Sequence, residues 1–337
     1  MRIAILGATG AVGKEVLKVL EDRKFPVDDV RLLASHRSVG IKMRFRGEEK
    51  LVEEFRKNCF DGVDMAIFSA NSVASKDAAL MAKAAGCGVV IDNSTAFRMD
   101  DEVPLVIPEI NARDIGKHKG IIANPNCTTA ITLMALWPLH QEFGVKRIIA
   151  SSYQAVSGIG AQGIEQLDLE LESGVSPEMY EKLMIKEPSV FKHPIAFNVI
   201  PQVDQFQPSG YTKEEEKMQN EGRKIMHHPT FKASVTCVRV PVYRAHSISV
   251  CAEFEKPVSI RDAQAVLKNS PGVQLRDETE QSVYPMPKFA SGKYDCFVGR
   301  IRKDAVFDNG LSFFVCGDQL LKGAALNAVQ IAEHLIR

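Results

Sequence analysis

The segment Asn124-Pro125-Asn126-Cys127-Thr128-Thr129 sets a cysteine between a short apolar strand, Gly120 to Ala123, and an apolar helix running to Leu136. A thiol at a helix start meets the positive end of the macrodipole and unpaired N–H groups, which favour thiolate over thiol. The same N–H groups can hold an oxyanion formed at a carbon that the sulfur attacks. Cys127 is therefore the candidate nucleophile. Cys59, Cys87, Cys237, Cys251, Cys296 and Cys316 lie in apolar strands or lack such a setting, and read as inert thiols.

The run Arg239-Val240-Pro241-Val242-Tyr243-Arg244-Ala245-His246-Ser247 offers a partner for that thiol. A strand carries Arg239, Pro241 ends its ladder, and His246 opens the next strand. A turn of this size can bring both side chains to one end of a sheet, where His246 could serve as acid and base for a thiolate. Arg244 reads as a solvated turn residue. The remaining histidines sit in polar or helix-end surroundings and read as structural.

Gly7-Ala8-Thr9-Gly10-Ala11-Val12-Gly13 spaces its glycines G-x-x-G-x-x-G between a strand and a helix. Glycines allow the tight turn and let a pyrophosphate approach backbone at the helix N-terminus. The second strand ends Leu33-Ala34-Ser35-His36-Arg37-Ser38, without the acid that would hold a ribose 2′-OH. An arginine and two hydroxyls, Arg37 with Ser35 and Ser38, suit a 2′-phosphate instead, so NADP is expected over NAD.

The elements that must position these groups fall into two patterns. Strands at Arg2–Leu6, Val30–Ala34, Met65–Ser69, Val89–Asp92, Leu105–Ile107 and Gly120–Ala123 are interleaved with helical spacing such as Val12, Val16, Val19 and Leu20, and with a helix over Asn71–Ala85. That alternation predicts a parallel sheet with crossover helices on both faces. Further on, strands over Arg147–Val156, Ser234–Val240, Ser247–Glu255 and Leu311–Val315 follow without regular crossovers. Helices are expected over Gly158–Ser173, Lys213–His228, Ile260–Leu267 and Gln319–Ile336, with a proline-dotted loop over Pro188–Gly210. Thr212-Lys213-Glu214-Glu215 has capping-box spacing, and Glu214 and Lys217 share a helix face. Lys213, Glu215 and Glu216 read as a solvated charged face. The fold class is thus α/β: a Rossmann-type dinucleotide-binding domain joined to an α+β domain.

Composition excludes several other functions. The 337 residues carry 42 Lys plus Arg against 42 Asp plus Glu, so no basic surplus argues for nucleic acid. The longest apolar stretch, Ala130 to Leu139, is interrupted by Pro138 and falls short of the ~20 residues of a membrane span. The N-terminus lacks the h-region and cleavage site of a signal peptide. An odd cysteine count with no C-x-x-C pair disfavours disulfides and zinc, so no metal site is expected and the expected compartment is reducing cytoplasm.

Gly7 to Gly13, Asn124 to Thr129, Ser152-Tyr153-Gln154-Ala155-Val156-Ser157-Gly158 and Arg239 to Ser247, in this order along the whole chain, resemble aspartate-semialdehyde dehydrogenases, in particular the shorter bacterial branch of Gram-positive type. The resemblance implies an NADPH-dependent reductase of aspartyl phosphate in lysine, threonine and methionine biosynthesis, with a glyceraldehyde-phosphate dehydrogenase-like architecture. It implies Cys127 as the thioester-forming nucleophile, Gln154 orienting substrate, His246 as acid/base, Arg239 on the substrate α-carboxylate and Glu214 on its α-ammonium. Arg98, Asn126 and Lys217 would hold phosphate. NADP(H) contacts would fall on Gly7, Thr9, Gly10, Ala11, Val12, Ser35, Arg37, Ser38, Ser157, Gly158 and Gln319, the last a position where relatives often carry Asn. The implied domains are 1–126 plus 317–337 for NADP and 127–316 for catalysis and dimerisation, giving a homodimer that binds small-molecule substrates. Alternatives are another acyl-phosphate reductase, such as the N-acetylglutamyl phosphate enzyme, or a non-catalytic dinucleotide-binding paralogue.

Overall fold

The computed structural model describes residues 1–174 and 190–336. By internal contacts these form two compact units, Met1–Ala130 with Lys224–Met226 and Leu320–Arg337, and Ile131–Arg223 with His227–Gln319. Residues 188 and 189 of the expected loop lie outside the described residues.

The first unit is built on a seven-stranded sheet of order β3-β4-β2-β1-β5-β6-β7. Its strands are β1 (Arg2–Leu6), β2 (Asp29–Ala34), β3 (Lys42–Phe45), β4 (Glu48–Glu54), β5 (Met65–Phe68), β6 (Val89–Asp92) and β7 (Ile121–Ala123). All neighbours run parallel except β3 and β4. The central strands are continuous apolar runs because both faces are covered; Ile3, Ala4, Ile5, Ala66 and Ile67 are wholly buried. Helix α1 (Ala11–Asp22) buries Val16, Val19 and Leu20 of the expected stripe, with Leu17 beside them, while Val12 is only partly buried. Helix α2 (Ser72–Ala84) is capped by the Asn71 side chain, which accepts from the Ala74 amide at 3.0 Å.

Two expectations for this unit need correction, and one element is added to them. The β3–β4 hairpin is absent from the sequence reading; its strands are charged, and the turn is marked only by Arg46 and Gly47, both at positive φ. Leu105–Ile107 is not a strand but a single bridge from Leu105 to Ala123, since Pro104 and Pro108 bracket it and offer no N–H. The expected C-terminal helix opens with a π-turn, Leu321–Ala325, before the regular helix Leu326–Leu335.

The second unit carries a six-stranded sheet of order β11-β12-β13-β10-β8-β9. The strands are β8 (Val145–Gln154), β9 (Lys232–Arg239), β10 (His246–Phe254), β11 (Val273–Leu275), β12 (Cys296–Lys303) and β13 (Gly310–Gly317). Strand β10 runs antiparallel between β8 and β13, while β8 and β9 are parallel. Strand β8 stops at Gln154, two residues short of expectation, and Val156–Ile159 forms a 3-10 turn before helix α4 (Ala161–Ser173). Helix α3 (Cys127–Phe143) starts in the first unit and continues into the second. Helix α5 (Lys213–Ile225) ends three residues before the expected His228. Helix α6 (Ile260–Lys268) is capped by Ser259.

Candidate active site

In the first unit, the glycine turn cannot tolerate larger residues. Gly7 has φ +81°, and a Cβ there would sit 2.3 Å from the Ser69 carbonyl oxygen; one at Gly13 would sit 2.3 Å from the Gly7 oxygen. Gly10 is the N-cap of α1 and supplies no side-chain acceptor, so the first-turn amides are not capped from within the chain. A bare helix start behind a glycine cradle fits a dinucleotide pyrophosphate. Beside it, Thr9 donates to Ser38 at 3.2 Å, and Ser35 precedes the short 3-10 turn His36–Ser38 that carries Arg37 out into solvent. Arg37→Ala is expected to lower the NADP-over-NAD ratio of kcat/KM at least tenfold, since a charge-assisted contact is worth ~1.5–3 kcal/mol. An unchanged ratio in steady-state kinetics would move the 2′-phosphate site elsewhere.

The same unit holds Arg98, Asn126 and Cys127. Cys127 is the first residue of α3 and is half-buried. The Asn126 side-chain oxygen accepts from the amides of Thr128 at 3.0 Å and Thr129 at 3.1 Å, so Asn126 is the helix cap. This narrows the expected oxyanion hole: those two first-turn amides are spent on Asn126. The Arg98 guanidinium is buried and donates to the carbonyls of Asn124 at 2.9 Å and Asn93 at 2.8 Å.

In the second unit, Gln154, Ser157, Gly158, Glu214, Lys217, Arg239, His246 and Gln319 gather at the ends of β8, β9 and β10. Register pairs Gln154 with Arg239 across the β8–β9 ladder. The Gln154 amide donates to Glu214 at 3.1 Å and to Ser152 at 3.2 Å. Lys217 donates to Glu214 at 2.9 Å and to Asp204 at 3.1 Å. The capping box forms as spaced: Glu215 donates its amide to Thr212 and accepts the Thr212 amide at 2.6 Å. Glu215 is not solvated, though; it is buried and also accepts from the Cys237 amide at 2.9 Å, tying α5 to β9.

Ala155, whose small apolar side chain carries no chemical signal, organises the centre. Its amide donates to His246 Nδ1 at 3.0 Å, and its carbonyl accepts from Arg239 Nη1 at 2.7 Å. With Nδ1 accepting, the neutral imidazole carries its proton on Nε2. That Nε2 is buried and has no partner among the described residues. Burial, reinforced by the Arg239 cation and only partly offset by Glu214, pushes the His246 pKa down to about 3. The expected acid and base therefore narrows to a neutral ring that donates from Nε2.

Gly158 packs against this pair, because a Cβ there would lie 2.7 Å from Arg239 Nη1 and 3.2 Å from His246 Nε2. Gln319 donates to Ser157 at 2.5 Å and accepts the Ala245 amide at 2.8 Å, bracing the residue before His246. Arg244 is not a solvated turn residue either: it pairs at 2.6 Å with Asp318, which is wholly buried.

A depressed histidine leaves a pH signature. The unfolded chain binds this proton near pH 6.5 and the folded chain only near 3, so stability is complete above ~6.5 and falls as pH drops below it. Between pH 7 and 5 this one group should remove ~2 kcal/mol of unfolding free energy, at 1.36 kcal/mol per pH unit. Urea titrations should show that increment in wild type and its loss in His246→Asn. Equal slopes for both proteins would mean an ordinary pKa for His246.

Known proteins align with both units. Residues 2–118 match the family model for the semialdehyde dehydrogenase NAD binding domain, and residues 136–322 the model for the semialdehyde dehydrogenase dimerisation domain. The chain is 50% identical to an aspartate-semialdehyde dehydrogenase of Aquifex aeolicus, over 100% of this chain and 98% of the relative. It is 47% identical to one of Bacillus subtilis, over 99% and 97%. The crystal structure of aspartate semialdehyde dehydrogenase II complexed with ASA from Vibrio cholerae superposes with a TM-score of 0.92 at 41% identity, covering 100% of this chain and 98% of that one.

Proposed function

The chain belongs to the aspartate-semialdehyde dehydrogenase family, and from that premise we propose how its own residues carry the reaction. The activity is reduction of L-aspartyl 4-phosphate by NADPH to L-aspartate 4-semialdehyde and inorganic phosphate. Bound NADPH supplies the hydride; Thr9 to Val12, Ser35, Arg37, Ser38, Ser157, Gly158 and Gln319 would hold it, with Gly7 shaping the turn.

The Cys127 thiolate attacks the acyl carbon, forming a C–S bond, and the carbon–oxygen bond to phosphate breaks. Arg98 and Lys217 take up the charge of the departing phosphate, while Asn126 keeps the thiol at the helix start. The resulting thioester accepts hydride readily, which a free carboxylate does not. The thiohemiacetal then collapses, releasing the aldehyde and restoring the thiolate. The one proton taken up overall ends on phosphate. His246 donates from Nε2 to the negative charge that builds up on oxygen and sulfur in these steps. Arg239 fixes the α-carboxylate, Glu214 the α-ammonium, and Gln154 the position of the carbonyl.

The observation that carries this assignment is the convergence of Gln154, Glu214, Arg239 and His246 through direct hydrogen bonds and the shared Ala155 backbone. Its test is NADP reduction with aspartate semialdehyde, which must depend on added phosphate. Turnover without phosphate would reject the acyl-phosphate route.

Residues 136–322, which match the dimerisation model, are the part through which we propose a homodimer. Light scattering should give twice the 37.2 kDa chain mass. We propose a cytoplasmic location as well, in keeping with seven cysteines that hold no C-x-x-C pair.

A further inference from the structure

We propose that Lys322 and Asn327, in the C-terminal segment, are positioning residues for the turn that carries Cys127 and for the Arg98 guanidinium. The proposal rests on the assignment of Cys127 as nucleophile and Arg98 as phosphate ligand.

Lys322 is 1% exposed, an unusual place for an ammonium. It pairs with Glu109 and donates at 2.8 Å to the side-chain oxygens of both Asn327 and Gln330. Gln330 in turn donates to Glu109 at 2.8 Å. Burial works against the Glu109 carboxylate, but the charge and hydrogen bond of Lys322 outweigh it and hold the pKa below the ordinary value. The π-turn that opens the C-terminal helix, closed by the Ala325 amide on the Leu320 carbonyl at 2.9 Å, carries Lys322. Such turns are often kept where function requires a particular side-chain placement.

An ammonium only donates, so it fixes which way the Asn327 amide faces. The Asn327 oxygen must meet Lys322, and its nitrogen then donates to the Val106 carbonyl at 2.8 Å and the Asn124 side-chain oxygen at 2.7 Å. Asn124 is thereby oriented too. Its own Nδ2 is left buried and unpartnered among the described residues. Turning both amides over would give that nitrogen the Asn327 oxygen as acceptor, but it would set the Asn327 nitrogen against the Lys322 ammonium and its oxygen against the Val106 carbonyl. The unmet donor is consistent with an orientation set at Asn327, by Lys322 together with the Val106 carbonyl, rather than at Asn124.

The consequence falls on the site. Asn124 follows β7 directly, three residues before Cys127, and its carbonyl receives Arg98 Nε at 2.9 Å. Only Pro125 and the capping Asn126 lie between. One wholly buried residue, Asn124, thus links Asn327 through its side chain to the arginine through its backbone carbonyl. An ion pair needed for stability alone would not require Asn327 between it and the turn, and buried pairs are weak stabilisers by themselves.

The test uses Asn327→Asp in the full-length, NADP-bound enzyme. The carboxylate is isosteric and still meets Lys322, but it cannot donate to Asn124 or Val106, so the Asn124 amide must turn over. Expected results are a kcat lowered roughly tenfold to a hundredfold, as for small misplacements of reacting groups. The KM for inorganic phosphate in the semialdehyde-oxidising direction should rise, and the pH midpoint of iodoacetamide labelling at Cys127, read by mass spectrometry, should shift. NADP affinity should stay within about twofold. Lys322→Met combined with Glu109→Gln removes the pair together, without stranding a charge, and should give the same signature if the single variant does not fold. A lower Tm with unaltered phosphate KM and labelling profile, in either variant, would overturn the proposal. If wild-type enzyme labelled at Cys127 kept its activity, the nucleophile assignment would fail instead.

Discussion

Cys127→Ala is expected to lower turnover by more than ~10⁴-fold while NADP affinity stays within about twofold. A nucleophile that forms the covalent intermediate has no substitute within the chain, and losing such a residue typically costs most of the chemical acceleration. The thiol is half-buried at the first residue of α3, and its neighbour Asn126 spends its side chain on the amides of Thr128 and Thr129. The cap therefore persists when the sulfur is gone, and the local fold should survive. The glycine turn that would hold the cofactor follows β1, three strands away from β7 in the sheet order, so the cofactor affinity should not respond. Steady-state rates and cofactor titration on the same preparation decide the matter. Activity above a hundredth of wild type, a barrier change below ~2.7 kcal/mol, would remove Cys127 from the mechanism.

Local signals were the readable ones. Cys127 at a helix start, the glycine turn behind β1 and the Thr212–Glu215 capping box depend on residues within a few positions of each other, and the spacing reports them. The charged β3–β4 hairpin has no apolar alternation to report, because an edge hairpin does not need a buried face on both sides. Most of the electrostatics also escaped. The tautomer of His246 is set by an amide 91 residues away, and the orientation of Asn124 by a side chain 203 residues away. Arg244 and Glu215 looked solvated because their buried partners, Asp318 and the Cys237 amide, are distant in sequence. Contacts of this kind follow from topology, which one sequence does not print residue by residue.

Arg239→Lys is expected to lower kcat/KM by ~10²-fold or more, with part of the loss in kcat, although the charge is kept. Arg239 ends β9, is clamped to Ile200 by a reciprocal pair of backbone hydrogen bonds at 2.8 and 2.9 Å, and lies with Cζ 5.9 Å from the Phe191 ring centroid. One arm of its fork already serves the Ala155 carbonyl at 2.7 Å. A planar guanidinium can hold that carbonyl and a substrate carboxylate together; an ammonium on a flexible stem holds one well at the expense of the other. Whichever it keeps, something else moves. Releasing the carboxylate misplaces the reacting carbon, and ~1 Å of misplacement can cost ~10²-fold. Releasing Ala155 loosens the residue whose N–H fixes His246. The formation of acyl-enzyme, trapped with hydroxylamine, should slow in parallel. Arg244→Lys provides the contrast, because its partner Asp318 is wholly buried and also accepts the Gly292 amide at 2.6 Å. That change should lower Tm while kcat stays within a few-fold. If Arg239→Lys instead gave the Arg244 pattern, a lower Tm with intact kcat, then Arg239 would be a structural brace, and the carboxylate would have to be gripped by another cation.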